Sequence, residues 1–295
     1  MKKYIILSGC ILSTLNGMEL DVQTCHKHGI LRAPIFLRLL EKNNIAIDGI
    51  TILHPECATG ALSAKLAEKA DRVHGFDQAK EIIHFAYKQY SNKNLSFEHS
   101  LPEQFTTNRL FNLVVIDSYI DFIPDQQALF QRINNCLPNN LFPPTKSGEL
   151  FITITTSDNK PHPKNTTAKT MAADIQKNIA HFADFSEEEI IDLMIPPYPS
   201  LYTIQTMLKV AGFEIITSEE QSDHFLATQQ ELEDIYRSII MGMSIFEFIP
   251  PDWHNYFITE YIKKYIATLK ETADHKLVEP IITTVIHARK VKDVS

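Results

Sequence analysis

Hydrophobic positions in the first half of the chain alternate between two rhythms. Short, nearly continuous apolar runs stand at residues 49–53 (GITIL), 72–76 (RVHGF), 111–116 (FNLVVI) and 149–155 (ELFITIT), with a weaker one at 95–98. Between them, residues 60–70 (GALSAKLAEKA), 79–90 and 126–137 repeat their apolar positions at helical spacing. Strands that are apolar on both faces, separated by amphipathic helices, predict a parallel sheet covered on both sides. Right-handed crossovers make that arrangement doubly wound.

The second half reads differently. Residues 138–169 are rich in Pro, Asn, Lys and Thr and predict exposed loops. Helical patterns follow at 172–183, 187–194 and 201–211, and Gly212 suits a helix end before a strand at 213–218. Two longer helical stretches, 229–245 and 252–273, precede a last strand at 281–288, which brings the sheet to seven strands. The division this suggests is an N-terminal extension at 1–24, a ligand-binding core at 25–160, helices and loops at 161–212, and sheet completion with inserted helices at 213–295.

Composition narrows the function classes. With 44% hydrophobic and 22% charged residues over 295 positions, disordered, collagen-like and coiled-coil readings are excluded. A net charge of −8 offers no overall field to a phosphate backbone, so nucleic acid is not an expected partner. Four scattered cysteines show neither metal-type spacing nor a disulfide framework, and a reduced, cytoplasmic setting is expected. Lys2 and Lys3 before the apolar run at 4–15 have the outline of a secretory signal, which leaves export open. That run is broken by Ser8, Gly9, Cys10 and Ser13 and lacks a small-x-small cleavage site. A short buried strand, or an extension upstream of a start at Met18, reads it equally well. No other apolar run approaches the roughly 20 residues of a membrane span, so no membrane partner is expected.

Chemistry in an open parallel sheet gathers beyond the carboxyl ends of its strands. Those ends carry His54-Pro55-Glu56-Cys57-Ala58-Thr59-Gly60, then Asp77 with Gln78, then Ser100, then Asp117-Ser118-Tyr119. A tight turn feeding a helix N-terminus presents backbone N–H groups to an anionic ligand group. Asp77 follows Gly60 by 17 positions. A carboxylate there can accept from both hydroxyls of a ribose, or can cap the helix that begins near Ala79.

ITILHPECATGALS followed by RVHGFD resembles the first two motifs of the class I S-adenosylmethionine-dependent methyltransferases, and FNLVVIDSYIDFIPDQQALFQRI is similar to that family's fourth strand, loop and next helix. The tail from Pro199-Ser200-Leu201 through MLKVAGF at 207–213 to ITTVIHARK resembles the trans-aconitate and juvenile-hormone-acid branch. The resemblance implies a Rossmann-like fold with a helical lid before the last strands, S-adenosylmethionine as cofactor, and a small-molecule acceptor, with a carboxylate as the expected one. It places His54, Glu56, Ala58, Gly60, Asp77, Gln78, Ser100 and Asp117 around the cofactor, and His26, Tyr119, Arg237, Trp253 and Tyr256 toward the acceptor.

Some positions depart from the pattern. His54 stands where the family has an acid, Glu56 and Ala58 where it has glycines, and Ser100 where an acid faces adenine. The alternative is therefore a catalytically inactive binding or scaffold protein on the same fold.

A carboxylate acceptor is already ionised at neutral pH and needs no general base. An amine or hydroxyl would need one, for which Asp117, Asp121, His224 and His254 are candidates. Cys25-His26-Lys27-His28 lacks the second pair a metal site requires. Ile195-Pro196-Pro197-Tyr198 reads as a turn, and Glu187-Glu188-Glu189 as the first turn of a helix.

Overall fold

The computed structural model describes residues 4–7, 10–13, 22–117, 123, 125–138, 148–154, 163–194, 199–241 and 244–291. The central sheet contains β3 (Thr51–Pro55), β4 (Arg72–Asp77), β5 (Leu95–His99), β6 (Leu113–Asp117), β7 (Glu149–Ile154), β8 (Phe213–Ala227) and β10 (Leu277–Lys290). Their spatial order is β5-β4-β3-β6-β7-β10-β8. The strands from β5 to β7 pair in parallel, while β10 runs antiparallel between β7 and β8. This is the predicted seven-stranded, mostly parallel, Rossmann-like sheet. The two-residue β9 (Lys270–Glu271) adds an eighth strand beside β10.

The apolar runs bury both faces because successive strand residues point to opposite sides. Leu113 and Val115 join a core that includes Phe36 and Leu40 of α1 (Val22–Lys42) and Leu66 of α2 (Ala61–Ala67). Val114 and Ile116 join a second core on the other face, with Phe130 and Ile133 of α4 (Gln126–Asn135) and Ile204 and Leu208 of α7 (Leu201–Val210). Helix α3 (Lys80–Gln89) connects β4 to β5. Ser200 caps α7, and Gly212 leaves that helix at φ +84°, as its position suggested.

Three departures from the sequence reading have physical causes. Helix α1 runs for 21 residues although it contains Gly29 and Pro34, both of which argue against a helix. A Cβ on Gly29 would lie 3.1 Å from the Ala61 Cβ, so the glycine serves a close crossing of α1 over α2. Helix α5 (Pro163–Asn178) begins inside the segment expected to be loop, and its Ala168, Met171, Ala172 and Ile175 are buried. Strand β8 extends nine residues beyond the expected 213–218. Its SEEQSDH stretch carries no apolar alternation and is held by backbone pairing along β10.

Helix α6 (Glu187–Met194) opens with the three glutamates in its first turn. Helices α8 (Gln229–Met241) and α9 (Pro251–Ile266) lie between β8 and β10 and form the insertion. They are pinned to the sheet by buried Glu279 of β10. Its carboxylate accepts from the Tyr236 hydroxyl of α8, and from Tyr265 of α9 at 2.9 and 3.0 Å. Residues 4–7 and 10–13 form an antiparallel pair, β1 and β2 (Tyr4–Leu7 and Cys10–Ser13), with β2 against α8.

Candidate functional site

The chain reverses direction across the sheet at β3 and β6, and a crevice opens beyond their carboxyl ends, where such sheets bind ligands. Gly29, Arg32, His54, Glu56, Thr59 and Asp117 line it, with Cys57, Ala58, Ala61 and Leu62. Counted out to bulk solvent it holds about 350 Å³.

The turn between β3 and α2 is built on left-handed backbone. Glu56, Ala58 and Gly60 have φ of +50°, +48° and +79°. Only glycine takes that region without cost, so two side-chain-bearing residues hold a glycine-type loop. Two bonds fasten the loop to β4: the Cys57 amide donates to the Phe76 carbonyl at 2.9 Å, and the Ala58 amide to Asp77 Oδ2, also at 2.9 Å. Gly60 is required for packing as well, since a Cβ there would lie 2.5 Å from Phe97.

The acids of the site are buried together. Asp77 is fully enclosed, and its other oxygen accepts the Ala79 amide at 2.8 Å. Burial pushes its carboxyl up to about 7. The helix cap itself is Ala79, so Asp77 bridges loop and strand end rather than capping α3 through its side chain. Glu56 is 2% exposed. Gln78 Nε2 donates to its Oε2 at 3.2 Å, whereas Oε1 is buried with no partner. Burial, then the charge of Asp77, hold Glu56 well above the ordinary carboxyl range. Both carboxyls are raised, and Glu56 holds its proton the more firmly, because the two backbone amides favour the charged form of Asp77.

His54 is buried at the end of β3, with Nδ1 2.8 Å from Ser63 Oγ, and burial lowers it to about 4. It is therefore neutral at physiological pH. Asp117 at the end of β6 accepts from Arg32 at 2.9 Å and from the Thr153 hydroxyl at 2.8 Å. His26 of α1 reaches the turn, its Nδ1 3.2 Å from Thr59 Oγ1, and packs edge-on to Phe85 and Tyr90. A second, smaller recess shares Arg32 and Asp117 and continues along Phe36, Leu39, Thr153 and Thr283.

Other candidates lie apart from this crevice. Ser100 follows β5, its amide on the Asp77 carbonyl and its hydroxyl on Leu101, and it does not line the crevice. Arg237 is exposed and joins α8 to α9 through Asn255 and Thr259. Trp253 and Tyr256 form a half-exposed aromatic group with Phe257 on α9 and line neither recess. His224 is exposed beside Asp223, and His254 bonds the Ile249 carbonyl. Tyr119 and Asp121 fall outside the described residues, as do residues 195–198.

Arg32 was missed. The signal was present as the spacing His26, Gly29, Arg32, Phe36 on one helical face, obscured because Gly29 and Pro34 conceal the helix. Among the described residues no group of three His, Cys, Asp or Glu can hold a metal, and no helix is long and apolar enough to cross a membrane.

No family model matches the sequence, and no curated protein matches it. Solved structures do. YcgJ of Bacillus subtilis matches with 12% identity over 90% of this chain and 99% of its own, at a TM-score of 0.51. A protein assigned as a sarcosine dimethylglycine methyltransferase, from Galdieria sulphuraria, matches with 12% identity over 93% of this chain and 94% of its own, also at 0.51. MccD matches with 16% identity over 86% and 96%, at 0.50. This is the class I methyltransferase fold. The likeness is one of architecture, and it does not single out the trans-aconitate and juvenile-hormone-acid branch.

Proposed function

We propose that the chain is an S-adenosylmethionine-dependent methyltransferase acting on a small molecule in the cytoplasm, with a carboxylate as acceptor. The observation that supports this most directly is the left-handed loop at Glu56, Ala58 and Gly60, set over the reversal point of the sheet. A backbone strained at two non-glycine positions persists where function holds it.

The loop from Glu56 to Gly60, with His54 and Thr59, would hold the cofactor, and Arg32 and Asp117 would face the acceptor. When bound, the cofactor supplies a methyl group on a positively charged sulfur, ready for in-line displacement. The chain's part is then to orient the acceptor and exclude water. Arg32 suits a carboxylate through its planar fork, and the helices of 161–212 and of the later insertion would form the cover. The finer placement, in the trans-aconitate and juvenile-hormone-acid branch, rests on the tail pattern.

A second reading, a silent protein on this fold, rests on the full enclosure of Asp77, which turns its carboxylate to backbone amides and away from the crevice lining. Calorimetric titration of the full chain with S-adenosylmethionine separates the two. Binding in the micromolar range supports the enzyme. Absence of heat from the native chain overturns it, and recovery of binding after Glu56→Gly with Ala58→Gly then supports the silent reading.

A further inference from the structure

We propose that Glu56 makes this crevice selective for positive charge, so that it retains a cationic sulfonium nucleoside and releases the neutral thioether left after methyl transfer. The inference rests on the cofactor reading above and concerns a side chain that the usual glycine of such a loop does not have.

Glu56 is 2% exposed and lines the crevice, yet one of its oxygens has no partner. A buried acceptor left unmade is costly, and a ligand that donates to it or carries a positive charge beside it removes that cost. The surroundings add to the preference. Asp77, Glu103 and Cys57 face Glu56 from β4 and the adjoining loops, and Gln78 holds its other oxygen. Farther along the lining, Asp117 is paired with Arg32, and His54 is neutral.

Carboxyl groups therefore outnumber cations, and an anionic nucleotide would be disfavoured in the same place. Sulfonium and thioether nucleosides are nearly the same in shape and differ by one methyl group and one charge, so charge decides between them. Before a cation binds, Glu56 keeps its proton, since burial and Asp77 disfavour a second negative charge. Arrival of the cation displaces that proton.

The test is calorimetric titration of the full chain, in its native form and as Glu56→Gln and Glu56→Gly, with S-adenosylmethionine and with S-adenosylhomocysteine. Two buffers of different ionisation heat count the protons, and a thermal melt checks folding. The native chain should bind the sulfonium at least about tenfold more tightly than the thioether. It should also release about one proton on binding, a measurement that needs no variant. In Glu56→Gln the preference should fall to within about threefold and the proton release should vanish. Equal affinities in the native chain, or a preference unchanged in Glu56→Gln, overturn the inference and leave the cofactor reading standing. Binding confined to Glu56→Gly overturns the inference and the enzyme reading together, because the side chain would then be a plug in the native chain. No heat from any of the three proteins overturns both.

Discussion

Ala58 and Asp77 are 19 positions apart in sequence and joined by one hydrogen bond, from the Ala58 amide to the buried Asp77 Oδ2 at 2.9 Å. With its other oxygen on the Ala79 amide, this one carboxyl holds the loop after β3 against the end of β4. Asp77→Ala strands both donors away from water, at about 1–3 kcal/mol each. Urea denaturation should show the variant less stable by roughly 2–4 kcal/mol; a loss under about 0.5 kcal/mol, the range of an ordinary surface change, would mean the loop is held elsewhere.

Glu56→Gly should stabilise the chain. It removes a left-handed non-glycine residue at φ +50° and an unpartnered buried oxygen. Relief of such backbone strain is worth on the order of 1–3 kcal/mol, partly offset by the greater freedom of glycine in the unfolded chain. The midpoint of thermal unfolding should rise by a few degrees, and a fall would refute the strain argument.

Gly60→Ala should destabilise strongly, because the new Cβ meets the Phe97 ring at 2.5 Å and the backbone sits at φ +79°. Phe97→Leu in the same chain should recover part of the loss. A double-mutant cycle measures that coupling, and strict additivity of the two changes would place the cost in the backbone alone.

Two buried groups give stability opposite pH slopes. His54, held at about 4 against 6.5 when unfolded, contributes stability present above pH 6.5 and lost as pH falls toward 4. Asp77, raised to about 7 from 3.8, contributes stability present below pH 4 and lost as pH rises through 7. Over the shared window they oppose each other. His54→Gln should expose the Asp77 slope, with stability relative to native gaining up to about 1.4 kcal/mol per unit as pH falls below 6.5. Urea midpoints at four pH values across that window check it; parallel curves would refute it.

Glu279 ties the inserted helices to β10 through two tyrosine hydroxyls. Glu279→Ala should take the shared carboxylate acceptor away from both buried hydroxyls and leave them only their bond to each other, at roughly 1–3 kcal/mol in all. Hydrogen exchange should quicken in α8 and α9 while β3, β4 and β6 stay protected. Uniform quickening would mean the insertion and the sheet unfold as one unit.

The central sheet was legible because its strands are apolar on both faces and its helices on one, a pattern that short-range order writes into the chain. Val114 and Ile116 announce burial without any knowledge of their neighbours. Helix α1 was not legible, since Gly29 and Pro34 oppose it locally and only packing on α2 and the sheet outweighs them. Strand β8 was half hidden for a related reason: its outer part is set by pairing to β10, and its polar side chains carry no trace of that partner.

The sequence alone determined the sheet, its order of elements and the residues that stand at its strand ends, His54 through Gly60, Asp77 and Asp117. Only the tertiary structure decided which of those groups are enclosed, that Arg32 joins them, and that Ser100, Arg237, Trp253 and Tyr256 do not line the crevice. Hydrophobic period is a property of near neighbours along the chain. The state of a carboxyl is set by what surrounds it in space: Asp77 and Glu56, 21 positions apart, alter each other's protonation because two strand ends bring them together.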